Sequence, residues 1–134
     1  LRLLIFCQLK KMRNFEELRV WQDARVLVND IYKTMSNCKD FGFKDQLQRA
    51  AVSIMNNIAE GSESGSDSLF IRYLKISKAS CGEVRSMLFL CEDLQYCSVE
   101  ASIILRNKTI LISSSIQKLI EYLNKYNNNS GSKS

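Results

Sequence analysis

Residues 68–96 read SLFIRYLKISKASCGEVRSMLFLCEDLQY. Phe70, Leu74, Ser77, Cys81, Val84, Leu88 and Cys91 recur at every third or fourth position, the period of one face of an α-helix. Tyr73, Ile76, Ser80, Met87, Leu90 and Leu94 form a second seam beside the first. Two adjacent seams cover more than one ordinary amphipathic face, so such a helix packs against several neighbours at once. The stretch predicts the longest helix of a bundle, and the rest of the chain has to supply its partners.

Three other segments carry the same period. From Phe15 to Met35, the positions Trp21, Ala24, Val28, Ile31 and Met35 make a 3-4-3-4 seam, with Asn14, Glu16 and Glu17 suited to a helix start. Leu47, Ala51, Ile54 and Ile58 mark a helix over about 44–60, ended by Gly61 and the polar loop GSESGSDS. Ser66 or Asp67 can cap the long helix that follows. Leu105, Thr109, Ile112, Ile116, Leu119 and Leu123 place a last helix over about 99–125. Proline is absent and glycine occurs only five times, which leaves long helices uninterrupted. No alternating strand pattern of useful length occurs. The expectation is an all-α, antiparallel up-down four-helix bundle over residues 15–126. Residues 1–14 are expected to be a poorly ordered extension and 127–134, rich in asparagine and serine, a disordered tail. Helices apolar on more than one face leave patches on a monomer, so homo-oligomerisation is expected.

The chain has 134 residues, 46% hydrophobic and 25% charged, which suits one globular domain rather than a disordered one. Its formal net charge of +5 is compatible with a nucleic-acid partner, and equally with an ordinary basic protein. The five cysteines have no two-residue spacing, and there is no histidine, so no zinc or redox motif is present. Cys81 and Cys91 fall on apolar helical positions, where a reduced thiol acts as a small hydrophobe. A reducing, cytoplasmic compartment is the matching expectation. The apolar run in LRLLIFCQLKK (1–11) is too short to cross a bilayer, and its lysines follow the apolar part instead of preceding it. No membrane association, metal or cofactor is expected.

Two clusters are candidates for specific roles. In AAVSIMNNIAEGSE (50–63), Asn57 lies three residues after Ile54 and seven after Ala50, so it points toward the seam. An asparagine covered at such a position fixes helix register or oligomeric state. Glu60, one turn on, needs a partner if it is covered, and Arg72 across the loop is the nearest candidate; the plain alternative is a solvated helix end. On the long helix, Arg72, Lys75, Lys78 and Arg85 fall within roughly a third of the circumference at about 100° per residue. Such a stripe can follow a phosphate backbone without reading sequence, or it can simply keep the helix soluble. If Glu60 occupies Arg72, then Lys75, Lys78 and Arg85 are the better phosphate contacts. No general base of the usual kind, no phosphate-binding loop and no paired metal-binding carboxylates are present, so an enzyme is not expected.

The blocks VWQDA (20–24), QLQRAAVSIMNNIAEG (46–61) and FIRYL (70–74) stand in order around the serine loop, with Trp21 as core anchor. In these blocks, from about Phe15 to Tyr122, the chain resembles the four-helix bundle proteins encoded by intervening sequences in bacterial 23S ribosomal RNA genes. The accessory variability determinant of diversity-generating retroelements is a relative. The resemblance implies a five-fold ring with a basic outer surface, hence a homopentamer. Partners implied by the retroelement relatives are nucleic acid, RNA or DNA, and a reverse transcriptase. The alternative is a scaffold ring that touches only protein. The chain departs from the family pattern at Met55, where proline is usual, and at Leu69, where glutamate often completes a capping box.

Overall fold

The structure, a computed structural model, describes residues 14–131, with side chains as far as Asn127. The expected extension therefore lies outside the described residues except for Asn14. A short 3-10 turn, Phe15–Glu17, precedes four helices: α1 Arg19–Thr34, α2 Phe41–Glu63, α3 Asp67–Asp93 and α4 Val99–Gly131. Each helix packs on the next, and α4 returns to pack on α1. With links only at 35–40, 64–66 and 94–98, consecutive helices run antiparallel in a closed four-helix bundle.

The first seam of α3 is wholly interior: Phe70, Leu74, Ser77, Cys81, Val84, Leu88 and Cys91 are all buried. They meet Leu27 and Ile31 of α1, Leu47, Ile54 and Ile58 of α2, and Ile112, Ile116 and Leu123 of α4 in one core. The second seam divides. Ser80 and Met87 are buried, but Ile76, Leu90 and Leu94 are 44–45% exposed, because no fifth helix covers that flank.

Four boundaries differ from the sequence-based expectation, each for a local reason. Helix α1 starts at Arg19, because Leu18 adopts an extended conformation and buries its side chain, interrupting the helix that Phe15 begins. Helix α2 starts at Phe41, three residues early, because the Asp40 side chain caps it by accepting from the Phe43 amide at 3.2 Å. The Tyr96 hydroxyl donates to the same carboxylate at 2.7 Å, and these two hydrogen bonds, Tyr96 first, hold the Asp40 carboxyl below its ordinary range. Helix α3 stops at Asp93, where Gln95 takes the left-handed conformation (φ 60°). The Tyr96 amide donates to the Cys91 carbonyl and the Gln95 amide to the Glu92 carbonyl, a Schellman ending without glycine. Helix α4 continues to Gly131, so the tail expected from 127 is helical that far.

Gly61 is a further case, beyond these four. It does not end α2, which runs on to Glu63; the turn is made by Gly65 at φ 74°. A Cβ on Gly61 would stand 2.8 Å from Phe70 Cδ2 and 2.9 Å from Tyr73 Cβ. The glycine is there for close helix–helix approach.

Among the described residues, no helix is long and apolar enough to cross a membrane.

Candidate nucleic-acid interface

The NNIAEG cluster resolves into two unequal parts. Asn57 is half-buried, and its Nδ2 donates to the Ser53 carbonyl at 2.8 Å and to Ser53 Oγ at 3.0 Å. Ser53 Oγ shares a 2.9 Å hydrogen bond with Ser80 Oγ of α3. One turn away, Ser77 Oγ donates to the Ile54 carbonyl at 2.7 Å. A polar layer therefore joins α2 to α3, but its members are Ser53, Asn57, Ser77 and Ser80. Glu60 and Arg72 are both exposed and share no hydrogen bond or ion pair. The expected Glu60–Arg72 contact is not formed. At the surface, solvation of both charges competes with an ion pair whose net stabilisation is about 0–1 kcal/mol. Asn57→Ala is accordingly expected to lower stability by about 1 kcal/mol in denaturant unfolding, and Glu60→Ala to stay within about 0.5 kcal/mol of the parent. Equal losses from both would put Glu60 back in the layer.

Trp21, the expected core anchor, is 8% exposed and meets the Phe15 ring edge-on with centroids 5.0 Å apart. The Arg25 guanidinium lies over its ring at 5.7 Å. The buried indole N–H has no hydrogen-bond partner among the described residues.

Two residues of the basic stripe, Lys78 and Arg85, face the junction of α3 and α4. Gly82, Thr109 and Ser113 are small where these helices meet, and the missing bulk leaves a groove. Its outer part, about 440 Å³, is lined by Lys78, Arg85, Ile110, Ser113, Ser114, Gln117, Lys118 and Glu121. An inner recess of about 190 Å³ shares Lys78, Arg85 and Ser113 and is closed by Cys81, Gly82 and Thr109. Lys78 Nζ donates across the groove to Gln117 Oε1 at 2.7 Å, and Gln117 Nε2 donates to Glu121 Oε1 at 3.2 Å. The Gln117 bond fixes the ammonium while using one of its three donors. Arg85 and Lys118 are exposed and form no ion pair among the described residues. Other cations are taken: Arg106 pairs with Glu92 at 3.3 Å and lies 3.9 Å over the Phe89 ring, and Lys108 pairs with Asp30.

Of the residues expected to contact phosphate, Lys78 and Arg85 come together in the groove. Lys75 is exposed and outside its lining, and Arg72, also exposed, lies further round α3. Lys118, Ser113, Ser114 and Gln117 were not legible as site residues, because they lie on another helix, and periodicity along α3 says nothing of what faces it. Gly82 did leave a signal in the sequence. A glycine inside a helix costs about 1 kcal/mol relative to alanine, and nothing stands within 4 Å of the position its Cβ would take. Packing within the chain does not require it.

Burial pushes the Cys81 thiol up to about 12, and burial together with the neighbouring Cys97 does the same to Cys91, so both stay neutral. No group of three or more cysteine, aspartate or glutamate side chains among the described residues could hold a metal ion.

A family model described as 23S rRNA-intervening sequence protein matches residues 16–118. No curated protein matches the chain significantly. A solved structure from Bacteroides thetaiotaomicron, described as a protein of unknown function from the S23 ribosomal protein family, superposes with a TM-score of 0.71. It is 25% identical over 75% of this chain and 97% of its own.

Proposed function

The chain belongs to the 23S rRNA-intervening sequence protein family, and on that premise we propose that it is a non-enzymatic, self-assembling bundle that binds RNA through its basic surface. The observation that carries this reading is the α3–α4 groove, where Lys78, Arg85 and Lys118 converge, with Lys75, which forms no ion pair among the described residues, one turn before Lys78. Cations left without carboxylate partners keep their charge available to phosphate, and a fixed ammonium such as Lys78 loses little side-chain freedom on binding. A cytoplasmic setting is part of the reading, in keeping with free thiols at Cys38, Cys81, Cys91 and Cys97.

Assembly rests on two apolar surfaces. One is the uncovered flank of α3, Leu69, Ile76, Leu90 and Leu94; the other is the outward face of α4, Ile103, Ile104 and Leu111, where Leu111 is 68% exposed. Two different patches favour a head-to-tail contact, which closes into a ring when the rotation allows. Five copies is the number that the family resemblance suggests. The same patches support the second reading, a scaffold ring whose partner is a protein, such as a reverse transcriptase, with no nucleic acid in contact.

One experiment separates the two: native mass and bound RNA measured on one purified sample, with salt titration of the parent and of Lys75→Ala/Lys78→Ala/Arg85→Ala. RNA binding should weaken steeply with salt in the parent. In the variant, log affinity should fall less steeply with log salt, the slope being smaller by about 2 for three lost contacts to a single strand. Helix content and mass should not change. Absence of RNA binding by the assembled parent defeats the RNA reading in favour of the scaffold, and a monomer at micromolar concentration defeats both.

A further inference from the structure

We propose that the recess over Gly82 is a seat for one phosphate group of single-stranded RNA, with the α3 main chain as its floor. This deepens the RNA reading and rests on it. Gly82 lies one helical turn after Lys78 and three residues before Arg85, so a group resting on it is flanked by both cations. A glycine inside a helix weakens it, and here open space replaces the side chain. An approaching ligand gives that space a purpose, because only glycine lets it reach the backbone.

The wall opposite is suited to the same group. The Ser113 hydroxyl makes no hydrogen bond among the described residues and is free to donate, while Ser114 and a third cation, Lys118, stand further out. Thr109 is already engaged, its hydroxyl donating to the Arg106 carbonyl at 2.6 Å. Glu121 stands in the outer part only and is absent from the recess, so the negative charge of the ligand belongs at the Gly82 end. Ile110, 45% exposed on the outer wall, offers apolar surface to a sugar or base beyond the phosphate. A recess of about 190 Å³ takes one phosphodiester and excludes the body of a duplex. Single-stranded RNA is the form whose backbone can bend into it.

The test fills the recess while leaving every charge in place. Gly82→Ala and Gly82→Leu are compared with the parent for binding of a short fluorescent single-stranded oligoribonucleotide and of the same sequence as a duplex, at low and moderate salt. Gly82→Ala should fold at least as well as the parent by circular dichroism, since the added Cβ meets nothing within 4 Å, and Gly82→Leu is held to the same helix content before its binding is compared. Affinity for the single strand should fall with side-chain size, on the order of tenfold for leucine. The salt slope should shrink by about 0.7, the share of one phosphate. Ser113→Leu, which fills the recess from α4, should do the same. Full affinity in Gly82→Leu and Ser113→Leu overturns the seat while the RNA reading survives, provided that the Lys75, Lys78 and Arg85 substitutions still weaken binding. An equal loss for duplex and single strand also overturns it. A parent that binds no RNA removes both.

Discussion

Trp21→Ala is expected to destabilise the bundle by about 3–5 kcal/mol, and Trp21→Phe by clearly less. The ring fills the space between the Phe15 turn and α1, 8% exposed, with a T-shaped contact that alanine abolishes and phenylalanine largely keeps. The indole N–H is buried without a partner among the described residues, so removing it sacrifices no hydrogen bond seen there and relieves an unsatisfied donor. Trp21 is the sole tryptophan, so unfolding has to be followed by circular dichroism, with protein concentration held constant because assembly contributes to apparent stability. A loss from Trp21→Phe as large as from Trp21→Ala would show that the N–H finds its partner in the assembled state.

Gly61→Ala should lower stability by about 1–2 kcal/mol, and Gly61→Val by 3 kcal/mol or more. Two effects oppose each other. Alanine gains about 1 kcal/mol of helix propensity, but its Cβ would sit 2.8 Å from Phe70 Cδ2, 2.9 Å from Tyr73 Cβ and 3.3 Å from the Phe70 carbonyl oxygen. Two of these neighbours are main chain or the root of a side chain, which cannot swing aside, so α2 and α3 must separate. Overpacking of this kind costs about 1–3 kcal/mol, occasionally more. For a domain of this size, each kcal/mol moves the melting temperature by about 4 °C. Gly82→Ala provides the opposite sign in the same protein, because its Cβ meets nothing. If Gly61→Ala instead raises the melting temperature, the close approach at Phe70 is not maintained in solution.

The helices and most of their interior faces were legible because periodicity is a local property, although in α1 the fully buried residue is Leu27 and the expected Val28 is only half-buried. A buried residue every third or fourth position marks the covered face whatever covers it, and the Phe70-to-Cys91 seam is buried throughout. Residue choices at the helix ends were less legible. Gly61 and Gly65 are both glycines beside serines, and only the proximity of Phe70 and Tyr73 shows that the first is a packing site and the second a turn. Asp40 as a cap was visible as a residue type but hidden among turn formers, and Gln95 stops α3 in a conformation that its side chain does not advertise.

The sequence by itself determined a four-helix bundle, the surplus of apolar surface on α3, the inward tilt of Asn57 and the basic character of one side of α3. The tertiary structure decided which polar groups meet: Asn57 joins Ser53, which reaches Ser80, while Glu60 and Arg72 remain in solvent. It also decided that Lys78 and Arg85 share a groove with Lys118, Ser113 and Gln117. The physical reason is the same in each case. Helical period reports the direction of a side chain about its own axis, but a hydrogen bond or a groove depends on the distance between two axes. That distance is set by the sizes of residues on different helices, here Gly61 against Phe70 and Tyr73.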